Sequence, residues 1–145
     1  MPLPNDLSVA AFVCEKALRE ADGVLSAIRI ADIFFVVRPP DVPIEQQIVP
    51  MQLIAVIRSQ ALSLGKHIIE IDLLRPNGER RPGPQPIEVL VEQPKLSAPH
   101  GISLSAQVAV IARQEGTHWW IVQLDGEEIA RAPFTLLEVK PQSVA

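Results

Sequence analysis

Proline sets the tightest limit on how this chain folds. Its 14 prolines outnumber its 7 glycines, and they cluster between apolar runs, as at Pro39-Pro40-Pro43 and Pro82-Pro84-Pro86. A residue with φ locked and no backbone N–H is unwelcome inside helices and central strands. The apolar runs are therefore separate short elements. They are built from Ile, Val, Leu and Ala, since aromatic residues make up only 4% of the chain and there is no Tyr. Branched side chains of this kind pack well on a pleated surface.

Several runs carry the period of two that marks a strand with one wet face. Ile69, Ile71 and Leu73 alternate with Glu70 and Asp72. Met51, Leu53, Ala55 and Ile57 alternate with Gln52, Ile54, Val56 and Arg58. Ile102, Leu104, Ala106, Val108, Val110 and Ala112 share one face, with Ser103, Ser105 and Gln107 on the other. Val24 to Val37 reads as a strand to about Ile30, a bend near Ala31-Asp32 and an apolar patch over 33–37. Turn signals separate the runs at Gly23, at Pro76-Asn77-Gly78, at the 81–86 loop and at 94–101.

The last large block, 116–137, holds both tryptophans and a two-residue Asp125-Gly126 turn, and reads as a closing β-hairpin. About seven to nine short strands, roughly ten residues apart, predict an all-β, antiparallel, immunoglobulin-like β-sandwich. No βαβ pattern is present. With 145 residues, 48% of them hydrophobic, the chain is sized for one domain with a real core. Residues 1–6 read as a lead-in, 7–139 as the sandwich and 140–145 as a frayed tail.

Only 7–18, LSVAAFVCEKAL, is ambiguous. Its alanines suit a helix capped by Asp6 or Ser8, and its alternation suits a strand. The same region carries a resemblance. Cys14-Glu15 followed by Gly23-Val24-Leu25-Ser26-Ala27-Ile28-Arg29 is similar to the opening of small bacterial β-sandwich proteins known only as a domain of unknown function. In those, an apolar strand ends in Cys-Asp and a Gly-Lys-Leu-Ser-Leu-Ile-Gly segment follows. Glu15 and Arg29 depart from that pattern. The resemblance implies a sandwich, turns 7–14 from helix to strand, and implies no activity.

The chemistry in the sequence is mostly exclusion. Net charge is −4, and Arg75, Arg80 and Arg81 form the nearest thing to a basic cluster, read as a solvated turn, so nucleic acid is not an expected partner. A single cysteine allows no internal disulfide and no thiolate zinc site. With no signal peptide and no membrane-length apolar run, a cytoplasmic location is expected. His67, His100 and His118 show no HxH or HxxxH spacing, and the expected role is that of surface or strand-end histidines, with Glu70 or Asp72 within reach of one across strands. Cys14 reads as a buried, inert thiol, and Ser103 and Ser105 lack a nucleophile-elbow context. No catalytic residue, metal or cofactor is expected.

Trp119 and Trp120 must face opposite sides of their strand, so one is at least partly exposed. Thr117 and Gln123 share the face of Trp119. A plain two-residue turn pairs Trp120 with Arg131, whose guanidinium then stacks on the ring. Phe34 and Phe35 lie in a run that is apolar on both faces, which asks for cover from a loop, a sheet or a subunit. The expected function is a non-enzymatic protein-interaction or structural module, self-associating or part of a larger assembly, with Trp119, Trp120, Arg131, Phe34 and Phe35 as partner- or ligand-binding residues. A carbohydrate or small-ligand site at a tryptophan is the first alternative, and a hydrolase the second.

Overall fold

The computed structural model describes residues 3–19, 21, 25–37, 41–92 and 100–139. The expected turn at Gly23, the prolines at 39–40, most of the 94–101 break and the 140–145 tail lie outside the described residues. Ten strands run β1 Ser8–Arg19, β2 Leu25–Ile30, β3 Ile33–Val37, β4 Ile48–Ser59, β5 Gly65–Leu74, β6 Arg80–Pro82, β7 Ile87–Val91, β8 His100–Ile111, β9 Gly116–Leu124 and β10 Glu127–Val139. Among the described residues the one other regular element is a 3₁₀ turn at Ile44–Gln46. The ambiguous N-terminal segment is a strand. Ten strands exceed the expected seven to nine because 80–82, read as loop, forms a three-residue edge strand, and because the run beginning at Val24 divides between sheets.

One sheet has the order β2-β1-β4-β8, the other β3-β10-β9-β5-β6, with β7 also on β5. All pairings are antiparallel except β3 with β10, which corrects the purely antiparallel expectation. The switch occurs at the expected bend. Ala31 donates its N–H to Val13 O of the first sheet at 3.1 Å, and Asp32 O accepts from Thr135 N–H of the second at 2.6 Å. A strand leaving one sheet for the far edge of the other arrives parallel to its new neighbour. The central order β10-β9-β5 facing β1-β4-β8 is that of strands GFC facing ABE in an immunoglobulin-like sandwich.

The alternating residues read from β4, β5 and β8 form the inner faces. Met51, Leu53, Ile57, Ile69, Ile71 and Val110 are among the buried core. The interlayer is pinned where antibody domains place their inter-sheet disulfide: the buried Trp120 of β9 donates its indole N–H to Met51 Sδ of β4 at 3.4 Å. Trp120 stacks on Phe134 with ring centroids 5.7 Å apart, and His118 stacks on the same ring at 5.1 Å. Phe34 meets Phe134 edge-on at 6.2 Å.

Two prolines sit inside strands, at places where their missing N–H is not needed. Pro50 pairs only with Ala109, because β1 reaches no further than Gln52 along β4. Pro133 lies two residues before Thr135, the first β10 residue paired with β3, on the side facing that partner.

Arg29 adopts φ 56°, a left-handed conformation that disfavours side chains with a Cβ. It is also the position at which the resemblance sets a glycine. Its side chain pairs with the other departing residue, Glu15, at 3.4 Å in an exposed contact. Replacing Arg29→Gly is expected to leave stability within about 1 kcal/mol, since relief of backbone strain offsets added chain entropy. Arg29→Val is expected to cost about 1–2 kcal/mol. Urea denaturation of the two variants checks the difference.

Candidate functional site

The Asp125-Gly126 turn has φ 49° and 86°, positive at both residues as a type I′ turn requires. The strands beyond it do not stay in plain register. Leu124 pairs with Glu127 and Gln123 with Glu128, but Val122 pairs with Ala130, because a bulge takes up one extra residue at position 129. Trp120 therefore pairs with Ala132, and Arg131 with Ile121. The expected Arg131–Trp120 stacking is corrected: Arg131 points to the outer face and pairs with Glu128 at 3.0 Å, while Trp120 is buried inside.

Trp119 is the half-buried member of the pair, on the outer face between Leu74 and Pro133. Thr117 and Gln123 share that face as expected, but their polar atoms are engaged. The Thr117 and Thr135 hydroxyls lie 3.1 Å apart. Gln123 donates to Asp72 Oδ2 at 3.2 Å, and Arg80 reaches the same oxygen at 2.9 Å.

The histidines do not converge. His100 opens β8 opposite Ser59. His118 is fully buried, donates Nδ1–H to Gly116 O at 3.0 Å and is kept neutral by burial, which pushes its pKa down. His67, also buried, meets neither Glu70 nor Asp72. Its Nδ1 lies 2.6 Å from Asp125 Oδ2 and its Nε2 2.6 Å from Ser63 O. Asp125 Oδ1 in turn accepts from Ile68 N–H at 2.9 Å.

Ser63, His67 and Asp125 are the residue types of a nucleophilic triad, but their geometry does other work. The nitrogen that would act as base faces a backbone carbonyl at 2.6 Å, while Ser63 Oγ is 3.4 Å away. With an acceptor at each nitrogen, the ring is favoured as an imidazolium that donates twice. Burial opposes that charge, but the Ser63 carbonyl and the Asp125 carboxylate outweigh it and raise the pKa. The cluster clamps the 59–64 loop to the hairpin turn. Asp6 adds to it by accepting from Ser59 Oγ and Gln60 N–H, each at 2.6 Å, so part of the lead-in is held to the domain. Sequence reading missed Ser63 and Asp125, because Asp125 already had a sufficient role as a turn residue.

Cys14 is buried and its thiol pKa is raised by desolvation. Ser103 Oγ accepts from Arg58 at 3.1 Å, and Ser105 Oγ donates to Gln52 at 3.2 Å. Among the described residues no group of three or more His, Cys, Asp or Glu could hold a metal ion. No helix among them is long and apolar enough to cross a membrane.

A further exposed feature is apolar. In β3, Phe34 packs inward against Phe134, while Ile33, Phe35 and Val37 face out beside Leu137 and Val139 of β10. Phe35 is 68% exposed and Ile30, just before the switch, 65%. β3 ends its sheet among the described residues, so its outer backbone edge is open alongside this patch.

Residues 9–137, from the second residue of β1 to the apolar end of β10, match a family of unknown function, DUF6941. The chain belongs to DUF6941. This agrees with the resemblance drawn from the N-terminal segment, and it attaches no activity to any DUF6941 residue. No curated protein matches the chain. Two of the solved structures that are similar in shape come from Pseudomonas species. One is an immunoglobulin-like protein from Pseudomonas aeruginosa, with 9% identity and a TM-score of 0.32 over 90% of this chain and 96% of that one. The other is the Pseudomonas fluorescens alkylpurine DNA glycosylase AlkC bound to DNA containing an abasic site analogue, with 12% identity and a TM-score of 0.41 over 90% of this chain. This DUF6941 chain spans 30% of the glycosylase chain.

Proposed function

We propose that this DUF6941 domain is a non-enzymatic interaction module that assembles with a second copy of itself through β3. The observation that carries the reading is Phe35, 68% exposed at the midpoint of an uncharged, proline-free edge strand. Natural edge strands are usually blunted by charge, proline or a bulge; 33–37, IFFVV, has none of these. Its pattern is also self-complementary. An antiparallel pairing centred on Phe35 sets Ile33 of each copy opposite Val37 of the other, so the outward apolar stripe runs unbroken across a two-fold axis. Such an interface uses the same patch twice and closes as a dimer. The buried thiol and the clamped His67 support the non-enzymatic part of the reading.

Light scattering tests it. The native chain is expected to show twice the 15.9 kDa chain mass at micromolar concentration and above. Phe35→Asp, at an exposed position where a charge costs the fold little, is expected to show the single mass with an unchanged thermal midpoint. A native chain that stays at the single mass throughout overturns the proposal.

A further inference from the structure

On the side of the sandwich away from β3, the two sheets part to leave a cleft of about 360 Å³. Its walls are β8, the last strand of one sheet, and the β5–β6 edge of the other; its apolar floor includes Leu73, Val110 and Trp120. The wall formed by 82–84 stands close because position 83 is glycine. Gly83 N–H donates to Ile71 O at 2.8 Å, and a Cβ there would come within 2.4 Å of that oxygen.

Three arginines reach this cleft, Arg75, Arg81 and Arg113. Arg75 is only 9% exposed, and its Nη1 donates to Ile111 O at 3.3 Å. Glu79 is the carboxylate that acts on Arg75. It pairs with Arg81 Nε, while among the described residues no carboxylate lies within ion-pairing distance of Arg75 or Arg113. Burial lowers the pKa of Arg75; Glu79 opposes this, and Arg113 and Arg81 add to it. The described residues that line the cleft include these three arginines and no carboxylate, which makes a positive site over an apolar floor in a chain of net charge −4. A volume near 360 Å³ is at the small end of ligand pockets.

We infer that this cleft binds a small organic anion, with its carboxylate or phosphate held by Arg75, Arg81 and Arg113 and its apolar body resting on Leu73, Val110 and Trp120. Arginine suits the task because its planar fork meets either oxyanion with paired hydrogen bonds. The site is independent of the β3 interface and lies across the sandwich from it.

Titration calorimetry on the full chain tests the inference, with benzoate, phenyl phosphate, inorganic phosphate and the neutral benzyl alcohol as probes. Benzoate or phenyl phosphate is expected to bind, and benzyl alcohol is not. The stronger of the two anions tells a carboxylate site from a phosphate site, and weaker binding of inorganic phosphate reports the apolar floor. Arg113→Gln and Arg81→Gln, at exposed positions, are each expected to weaken binding about tenfold, the worth of one charge-assisted contact, with unchanged thermal midpoints. Failure of both organic anions to bind at millimolar concentration overturns the inference. So does binding that both variants leave intact, or binding of benzyl alcohol equal to that of benzoate.

Discussion

Trp120→Ala is expected to remove about 3–5 kcal/mol of stability, a large share of what a domain of this size possesses. The indole is 1% exposed, stacks on Phe134, and reaches across the interlayer to Met51. Truncation deletes the ring contacts on β10 and the indole contact that joins β9 to β4, and the space left is flanked by strands whose backbones are fixed by their ladders. Trp119→Ala, on the outer face between Leu74 and Pro133, is expected to cost markedly less. Urea denaturation with tryptophan fluorescence separates the two, since each variant retains the other indole. Equal costs would mean that Trp120 does not carry the interlayer.

The second large effect is expected at Asp125, whose carboxylate serves both His67 Nδ1 and Ile68 N–H. Asp125→Ala leaves a buried imidazole with one nitrogen unpartnered and places a Cβ-bearing residue with no local hydrogen bond at φ 49°. A loss of about 1–3 kcal/mol is expected, at the lower end because the carboxylate side chain is 40% exposed and solvent screens it.

The pH dependence identifies the pair. The pKa of His67 is raised in the folded chain, so its contribution is fully present below the unfolded value near pH ~6.5 and is lost as pH rises through the folded value. Burial raises the pKa of Asp125, but Ile68 N–H and His67 outweigh it and lower it overall. Its contribution is present above about pH 3.9 and lost as pH falls through the folded value. The gap between native and Asp125→Ala is thus expected to be widest near pH 6 and to narrow as pH rises toward 9. His118 runs the other way. Its lowered pKa gives a contribution present above pH ~6.5 and lost as pH falls through the folded value, so His118→Phe is expected to flatten the acid limb. A gap at Asp125 that widens with alkali would contradict the clamp.

The legible parts of this fold are those governed by local rules. β5 and β8 alternate cleanly because one of their faces is wet, and Asp125-Gly126 is a turn because both its residues tolerate positive φ. The tryptophans show where such rules stop. Opposite facing was deducible, but the adjacent Ile121 and Val122 are both apolar, so polarity does not separate the two faces of the strand sharply enough to say which ring is inside. The bulge at 129 displaces Arg131 from Trp120 without any glycine to mark it. The parallel pairing of β3 with β10 and the meeting of His67 with Asp125 join residues far apart in the chain, and nothing in local spacing encodes either. Arg75 and Arg81 read as part of a solvated turn, because only the fold brings Arg113, just past the end of β8, near Arg75.

Phe34 and Phe35 show both outcomes side by side. An apolar run with two hydrophobic faces asks for two covers, and the described residues supply one, at Phe134. The other face is the proposed interface, and a cysteine cross-link tests it most directly. In the antiparallel pairing centred on Phe35 the two copies of this residue stand about 4.5–5.5 Å apart at Cα, within the span a disulfide bridges. Phe35→Cys is therefore expected to oxidise to a covalent dimer at micromolar concentration, while Leu90→Cys, 60% exposed on β7, forms none at the same rate. Cross-linking of Phe35→Cys no faster than that of Leu90→Cys would contradict self-assembly through β3.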